Sequence, residues 1–216
     1  MAPQDLYLRQ MEIGPMANFV YLIGPAGAPE TAVVDAAWDI EAILRAAEAD
    51  GRRVVAALVT HWHPDHTNGL ERLVEATDAR VYAQKDELPW LRYAGGNLKA
   101  VAPGDELRLG EVTIQFLHTP GHTPGSQCFL VRDRLVSGDT LFINACGRTD
   151  LPGGDPERLY QSLTGTLGRL DDRTILLPGH NYAEIPSTTL GEQKRQNPFL
   201  RSGSLTQFLR MIGGPS

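Results

Sequence analysis

Half of this chain's six histidines fall in one six-residue stretch, His61-Trp62-His63-Pro64-Asp65-His66. The stretch follows directly on Val54–Val59, a continuous apolar run typical of a strand covered on both faces. Leu70, Leu73 and Val74 then mark a helix. A rigid strand ending in a loop aims side chains into a crevice, which is where α/β folds place chemistry. His61 and His63 are two residues apart, so in extended chain both rings point the same way. Asp65 and His66 come where the chain turns into the helix and face a second point. One segment therefore offers ligands for two adjacent metal ions, and imidazole with carboxylate suits zinc, iron or manganese.

Three more strand ends carry residues of the same type. Thr119-Pro120-Gly121-His122-Thr123-Pro124-Gly125 follows a strand over Val112–Leu117. Ser137-Gly138-Asp139-Thr140-Leu141-Phe142 closes a second. Leu177-Pro178-Gly179-His180-Asn181-Tyr182 closes a third, Thr174–Leu177. Each alone is an ordinary turn. Together they are four strand ends that each deliver a metal-ligating side chain. His118, just before its turn, reads as a structural neighbour of that loop.

The rest of the chain reads as alternating elements. Strands are predicted over 18–23, 31–35 and 80–83, with helices over Asp39–Asp50, Pro156–Leu170, Leu190–Gln196 and Leu205–Ile212. Glu106–Leu109 with Val112–Leu117, and Gln127–Val131 with Arg134–Ser137, read as hairpins. Leu88–Pro103 is poorly patterned and reads as a mobile surface loop, and Gly213–Ser216 as a frayed tail. Glu41, Arg45, Glu48 and Arg52 read as a solvated helix face. Strands in both halves, with no linker between, predict two sheets with helices outside in one domain spanning residues 1–216.

Composition narrows the function classes. The net charge is −6 and no basic block offsets it, which argues against nucleic acid as a partner. No apolar stretch approaches the length of a membrane span, so no membrane partner is expected. Asp5, Arg9 and Glu12 interrupt any basic-then-apolar leader, and two cysteines cannot make a disulfide framework. These points predict a reduced, cytoplasmic protein acting on a small molecule. Cys128 reads as core, and Cys146 as structural despite lying near the candidate site. Trp62 reads as packing, and Trp90 and Tyr93 as loop anchors or substrate covers.

The seven residues His61, His63, Asp65, His66, His122, Asp139 and His180 resemble the signature of the metallo-β-lactamase superfamily, His-x-His-x-Asp-His followed by a later His, Asp and His. That resemblance runs from about residue 18 to residue 200. It implies an α/β fold, an αβ/βα four-layer sandwich with two mixed sheets flanked by helices. It further implies that His61, His63 and His122 hold one metal, that Asp65, His66 and His180 hold a second, and that Asp139 bridges them. Asp65 is then also the candidate catalytic carboxylate. In such centres two ions roughly 3.5–4 Å apart lower the pKa of a bridging water toward 7, and the hydroxide so formed attacks a polarised carbonyl. Asp35 falls where the superfamily often has an Asp that buttresses the site.

Within the superfamily, Asp139–Phe142 followed by Cys146-Gly147-Arg148-Thr149-Asp150 is similar to the glyoxalase II and persulfide dioxygenase branch. So is Ser187–Glu192 with Asn197-Pro198-Phe199-Leu200. Glyoxalase II implies a two-metal hydrolase of acyl-glutathione thioesters, with zinc or iron. Persulfide dioxygenases imply a single iron on His61, His122 and Asp139, acting on glutathione persulfide. Gly179 before His180 is the hydrolase form, since typical dioxygenases carry Ala there. Arg148, Lys194 or Arg195 are candidates to grip a glutathione carboxylate, and Tyr182 to line the cleft. The sequence carries no sign of an oligomeric state.

Overall fold

The computed structural model describes residues 6–93 and 95–213. Of the tail expected to fray, residues 214–216 lie outside the described range. The first half runs β1 (Leu6–Ile13), β2 (Asn18–Pro25), β3 (Glu30–Val34), α1 (Ile40–Ala49), β4 (Arg53–Leu58), α2 (Pro64–Thr67), α3 (Leu70–Thr77), β5 (Arg80–Gln84) and β6 (Leu98–Val101). The second runs β7 (Glu106–Leu109), β8 (Val112–His118), β9 (Gln127–Val131), β10 (Arg134–Gly138), β11 (Leu141–Phe142), β12 (Ala145–Cys146), α4 (Pro156–Gln161), β13 (Ile175–Pro178), β14 (Thr188–Thr189), α5 (Leu190–Gln196) and α6 (Leu205–Ile212).

Two six-stranded sheets result, ordered β1-β2-β3-β4-β5-β6 and β14-β13-β10-β9-β8-β7. Both are mixed. β3, β4, β5 and β6 run parallel, as do β10 and β13, and the other pairs in these two sheets are antiparallel. The period-2 alternation of strands sorts their side chains into layers. In β2, Phe19, Tyr21 and Ile23 point between the sheets, where Leu58, Phe116, Phe129, Val136 and Leu177 meet them. Val20 and Leu22 point the other way, onto Ile40, Ile43, Leu70 and Leu73 of α1 and α3. Across the second sheet Leu135 and Leu176 face Leu159, Leu163, Leu190 and Phe208. Three apolar layers of this kind require four structural layers, which is the expected sandwich. Among the described residues no helix is long and apolar enough to cross a membrane.

Several elements depart from the sequence reading. β1 was not expected. Its side chains are mostly half-buried at a sheet edge, so its apolar pattern is diluted by Arg9, Gln10 and Glu12. Leu88–Pro103 is not all loop, because Leu98–Val101 adds β6 to the parallel edge beside β5. The single helix expected over Pro156–Leu170 is three pieces. α4 passes into a wider π turn at Ser162–Thr166 and a 3-10 turn at Leu167–Arg169. Gly165 and the β-branched Thr164 and Thr166 weaken regular helix there. Arg52 is not on a helix face. α1 stops at Ala49, and the Arg52 guanidinium donates to the carbonyls of Pro25 and Ala28 and lies 4.0 Å over the Tyr7 ring.

The ends of β4, β8, β10 and β13 gather at one edge of the sandwich, beside the start of β2. Main-chain bonds clasp the sheets there: Gln127 donates to Thr60, and Phe19 to Gly179. The Tyr21 hydroxyl reaches across the core to the Pro178 carbonyl.

Candidate metal centre

The four strand ends bring all seven signature side chains together. His63 Nδ1 and His122 Nε2 are 3.0 Å apart, and His61 completes a buried triplet whose ligand atoms all lie within 4.8 Å of one another. A second triplet, Asp65, His66 and His180, meets the same limit. Its His66 Nε2 is 3.1 Å from His180 Nε2 and 3.2 Å from Asp65 Oδ2. Asp139 lies between the two. Its Oδ1 is 3.4 Å from His66 Nε2, while Oδ2 is 3.4 Å from His180 Nε2 and 3.7 Å from His122 Nε2. The local fold explains the division of labour. His61 and His63 leave β4 in extended chain, whereas Pro64 starts α2 and turns Asp65 and His66 toward the second triplet.

The outer hydrogen bonds fix which ring nitrogen is free. His66 Nδ1 donates to Asp35 Oδ2 (2.9 Å), His122 Nδ1 to the Arg148 carbonyl (2.7 Å) and His180 Nδ1 to the Met16 carbonyl (2.9 Å). Thr60 Oγ1 gives its proton to Asp35 Oδ2, so it accepts from His61 Nδ1. Four Nε2 lone pairs are thereby aimed inward. His61 Nε2 and Asp139 Oδ1 are buried with no hydrogen-bond partner. His66 Nε2 and His180 Nε2, 3.1 Å apart, need a proton or a metal ion between or beside them. Orphaned acceptors, converging lone pairs and a carboxylate between them form a donor set that fits divalent ions.

Electrostatics point the same way. Burial lowers the His61 and His122 pKa values, and pushes His63 down to about 4, so these rings are neutral donors at pH 7. Burial alone would raise Asp139, but His66 and His180 overcome it and hold the carboxyl well below its usual range. His66 moves oppositely. Burial would lower it, yet Asp139, Asp35 and Asp65 raise it well above 6.5. The second triplet thus demands a positive charge.

Other residues of the centre carry no sequence signal. Asn18 Nδ2 donates to Asp65 Oδ2 (3.0 Å), and its Oδ1 accepts from Trp38 Nε1 (2.9 Å), which pins the Asp65 carboxylate. Thr60 and Glu87 were likewise missed, since each is a common polar residue outside the histidine motifs. Asp35 does buttress the site: it holds His66, the Thr60 hydroxyl and the Thr60 N–H.

The substrate candidates divide. The Tyr182 ring, 63% exposed, stacks on His180 at 4.6 Å and lines a cleft of about 440 Å3 with Ile143, Asn144 and Ile185. Arg148 reaches the site through its carbonyl, while its exposed guanidinium pairs with Asp150. Lys194 is committed to the Leu170 carbonyl and Asp172, a structural role. Trp62 packs against the helix layer and stacks on Trp90 at 5.6 Å, and the partly buried Tyr93 packs in the same layer. His118 Nε2 bonds the Pro124 carbonyl, bracing the His122 turn as expected.

Residues 13–180 match the family model of the metallo-beta-lactamase superfamily. The chain belongs to that superfamily. Probable metallo-hydrolase YqgX of Bacillus subtilis (strain 168) is 34% identical over 215 residues, covering 91% of this chain and 99% of its own. Hydroxyacylglutathione hydrolase GloC of Haemophilus influenzae is 31% identical over 191 residues, covering 80% of this chain and 88% of its own. The crystal structure of ETHE1 from Myxococcus xanthus matches with a TM-score of 0.87 at 31% identity, over 96% of this chain and 90% of that one.

Proposed function

We propose that this chain is a two-metal hydrolase of thioesters carried on small thiols, acyl-glutathione first among them. His61, His63 and His122 would hold one ion, Asp65, His66 and His180 the other, and Asp139 both. The ions would be zinc or iron, with manganese also compatible with these ligands. When bound, such a pair lowers the pKa of water between the ions and polarises a carbonyl oxygen. The remaining chemistry belongs to the chain. Asp35 and the Arg148 and Met16 carbonyls keep the imidazoles in one tautomer. Burial would raise the Asp65 carboxyl, but His66 and then Asn18 hold it well below its usual range, so it stays ionised. The Tyr182 ring forms a wall for the substrate next to His180. The Arg148 guanidinium meets a substrate carboxylate by leaving Asp150. The likeness to hydroxyacylglutathione hydrolase GloC supports the thioester as the substrate class.

The observation that carries this reading is the place of Asp139 between two complete triplets, at contacts of 3.4–3.7 Å to both. A single iron on His61, His122 and Asp139 would leave His66 Nε2 and His180 Nε2, 3.1 Å apart, to share a proton in place of a metal ion. Gly179 adds a second argument. A Cβ there would meet Asp139 Oδ1 at 2.3 Å and the Gly138 carbonyl carbon at 2.9 Å, so the alanine typical of dioxygenases would require the carboxylate or the backbone to shift. The test is zinc-loaded protein assayed anaerobically on S-lactoylglutathione and a panel of other thioesters. Hydrolysis under those conditions is expected. Turnover that requires iron and oxygen, with persulfide as the substrate, would overturn the reading, because zinc has no redox chemistry.

A further inference from the structure

Glu87 is a fully buried carboxylate at the end of a 3-10 turn that follows β5, 0% exposed and outside every motif of the signature. It makes three charge-assisted bonds. Oε2 accepts from the main-chain N–H of Trp62 (2.6 Å). Oε1 accepts from the Thr123 hydroxyl (2.8 Å) and the Gly125 N–H (2.5 Å). Trp62 lies between His61 and His63, and Thr123 follows His122. One side chain therefore ties the two loops that carry the first triplet, and it bonds neither His66, His180 nor Asp65. Burial pushes the Glu87 carboxyl up while the three donors pull it back. Gly125 shows how close the strut must come: a Cβ there would meet Glu87 Cγ at 2.7 Å and Glu87 N at 2.8 Å.

We infer that Glu87 is a positioning residue that sets the spacing of His61, His63 and His122, and so governs metal affinity at that triplet selectively. The inference uses the two-triplet reading, but its test does not depend on activity. Without the carboxylate, the N–H groups of Trp62 and Gly125 lose their partner and the Thr123 hydroxyl keeps only Ser126 Oγ (2.7 Å), so the loops separate or admit water. Glu87→Gln keeps one oxygen for Thr123 and Gly125 but turns an amide N–H toward the N–H of Trp62. Its effect is smaller than that of Glu87→Ala and falls on the His61-His63 loop.

The experiment is stepwise zinc removal by a competing chelator, read by elemental analysis, on wild type, Glu87→Gln, Glu87→Ala and Gly125→Ala. His180→Ala and His122→Ala assign each step to a triplet. Phe208→Ala, in the core beyond the second sheet, serves as a destabilised control. Glu87→Ala is expected to weaken the His61-His63-His122 step by about 10–100-fold, as loss of an outer partner typically does, and to leave the other step in place. Glu87→Gln and Gly125→Ala fall between it and wild type, and Phe208→Ala keeps both steps. Should Glu87→Ala fail to fold, Glu87→Gln with unchanged circular dichroism carries the test. Equal weakening of both steps, or none, overturns the proposal. A wild type with a single step would instead overturn the two-metal reading. The proposal then stands or falls on that step, since the one-iron ligands His61 and His122 hang on the same two loops.

Discussion

At the residue scale, the candidate ligands were legible and the residues that brace them were not. The seven candidates could be read because each is a metal-type side chain at a strand end, and four strand ends carry one or more. Asp35 was legible only by its resemblance to a known position. Asn18, Thr60 and Glu87 were hidden because a side-chain hydrogen bond to a group far along the chain leaves no local pattern. Asp35 offers a direct check. Asp35→Asn keeps the shape and suits the left-handed backbone at φ 55°. Its amide can no longer accept from all of His66, the Thr60 hydroxyl and the Thr60 N–H. Metal affinity is expected to fall about 10–100-fold, measured by chelator competition. Unchanged affinity would show that Asp35 does not orient His66. Gly179→Ala should cost the bridging contact, and elemental analysis should find less than the wild-type metal content. The thiols belong to this scale too. Burial pushes Cys146 up to about 12 and Cys128 up to about 11. The thiolate is the reactive form, so its population grows only as pH climbs toward those values. Native protein at pH 8 should react slowly with a thiol-specific dye, and denatured protein fast. Rapid labelling of Cys146 in native protein would contradict its structural reading.

At the element scale, strands buried on both faces were the easiest to read. Val54–Val59 and the Gln127–Ser137 hairpin are apolar enough to stand out, while Glu106–Leu109 was read by its alternation and the Gly110-Glu111 turn. β1 and β6 are edge strands with one wet side, so their pattern is diluted. The Pro156–Leu170 segment had the right spacing for one helix, but spacing does not report a switch of hydrogen-bond period. That π turn still packs: Leu163 is fully buried against Leu159 and Phe208. α6 is held to the second sheet by Phe208, its sole fully buried residue, with Ser204 capping the helix at Gln207 N–H. Phe208→Ala should cost about 3–5 kcal/mol, read from urea unfolding followed by circular dichroism. A loss below about 1 kcal/mol would mean that α6 contributes little to the sandwich.

At the scale of the whole molecule, two sheets with helices outside could be read from strands in both halves with helices between and after them, whereas the strand order within each sheet could not. Period-2 patterns say which face is apolar, not which strand lies beside which. The sandwich matters to function because it brings four strand ends and the start of β2 to one edge. The candidate metal centre spans the two sheets: His61, His63 and His66 come from the first, and His122, Asp139 and His180 from the second. Metal binding should therefore stabilise the fold as a unit. At a free metal concentration a hundredfold above Kd, each site contributes about 2.7 kcal/mol. A strong chelator should lower Tm accordingly, and restored zinc should recover it. A Tm indifferent to chelator would mean that the edge is held without metal.

The central claim is a centre of two metals bridged by Asp139. Elemental analysis of protein purified without added metal or chelator tests it most directly. The account predicts about two divalent ions per chain, zinc or a mixture of zinc and iron. One iron per chain with little zinc would contradict it and place the chemistry on His61, His122 and Asp139 alone.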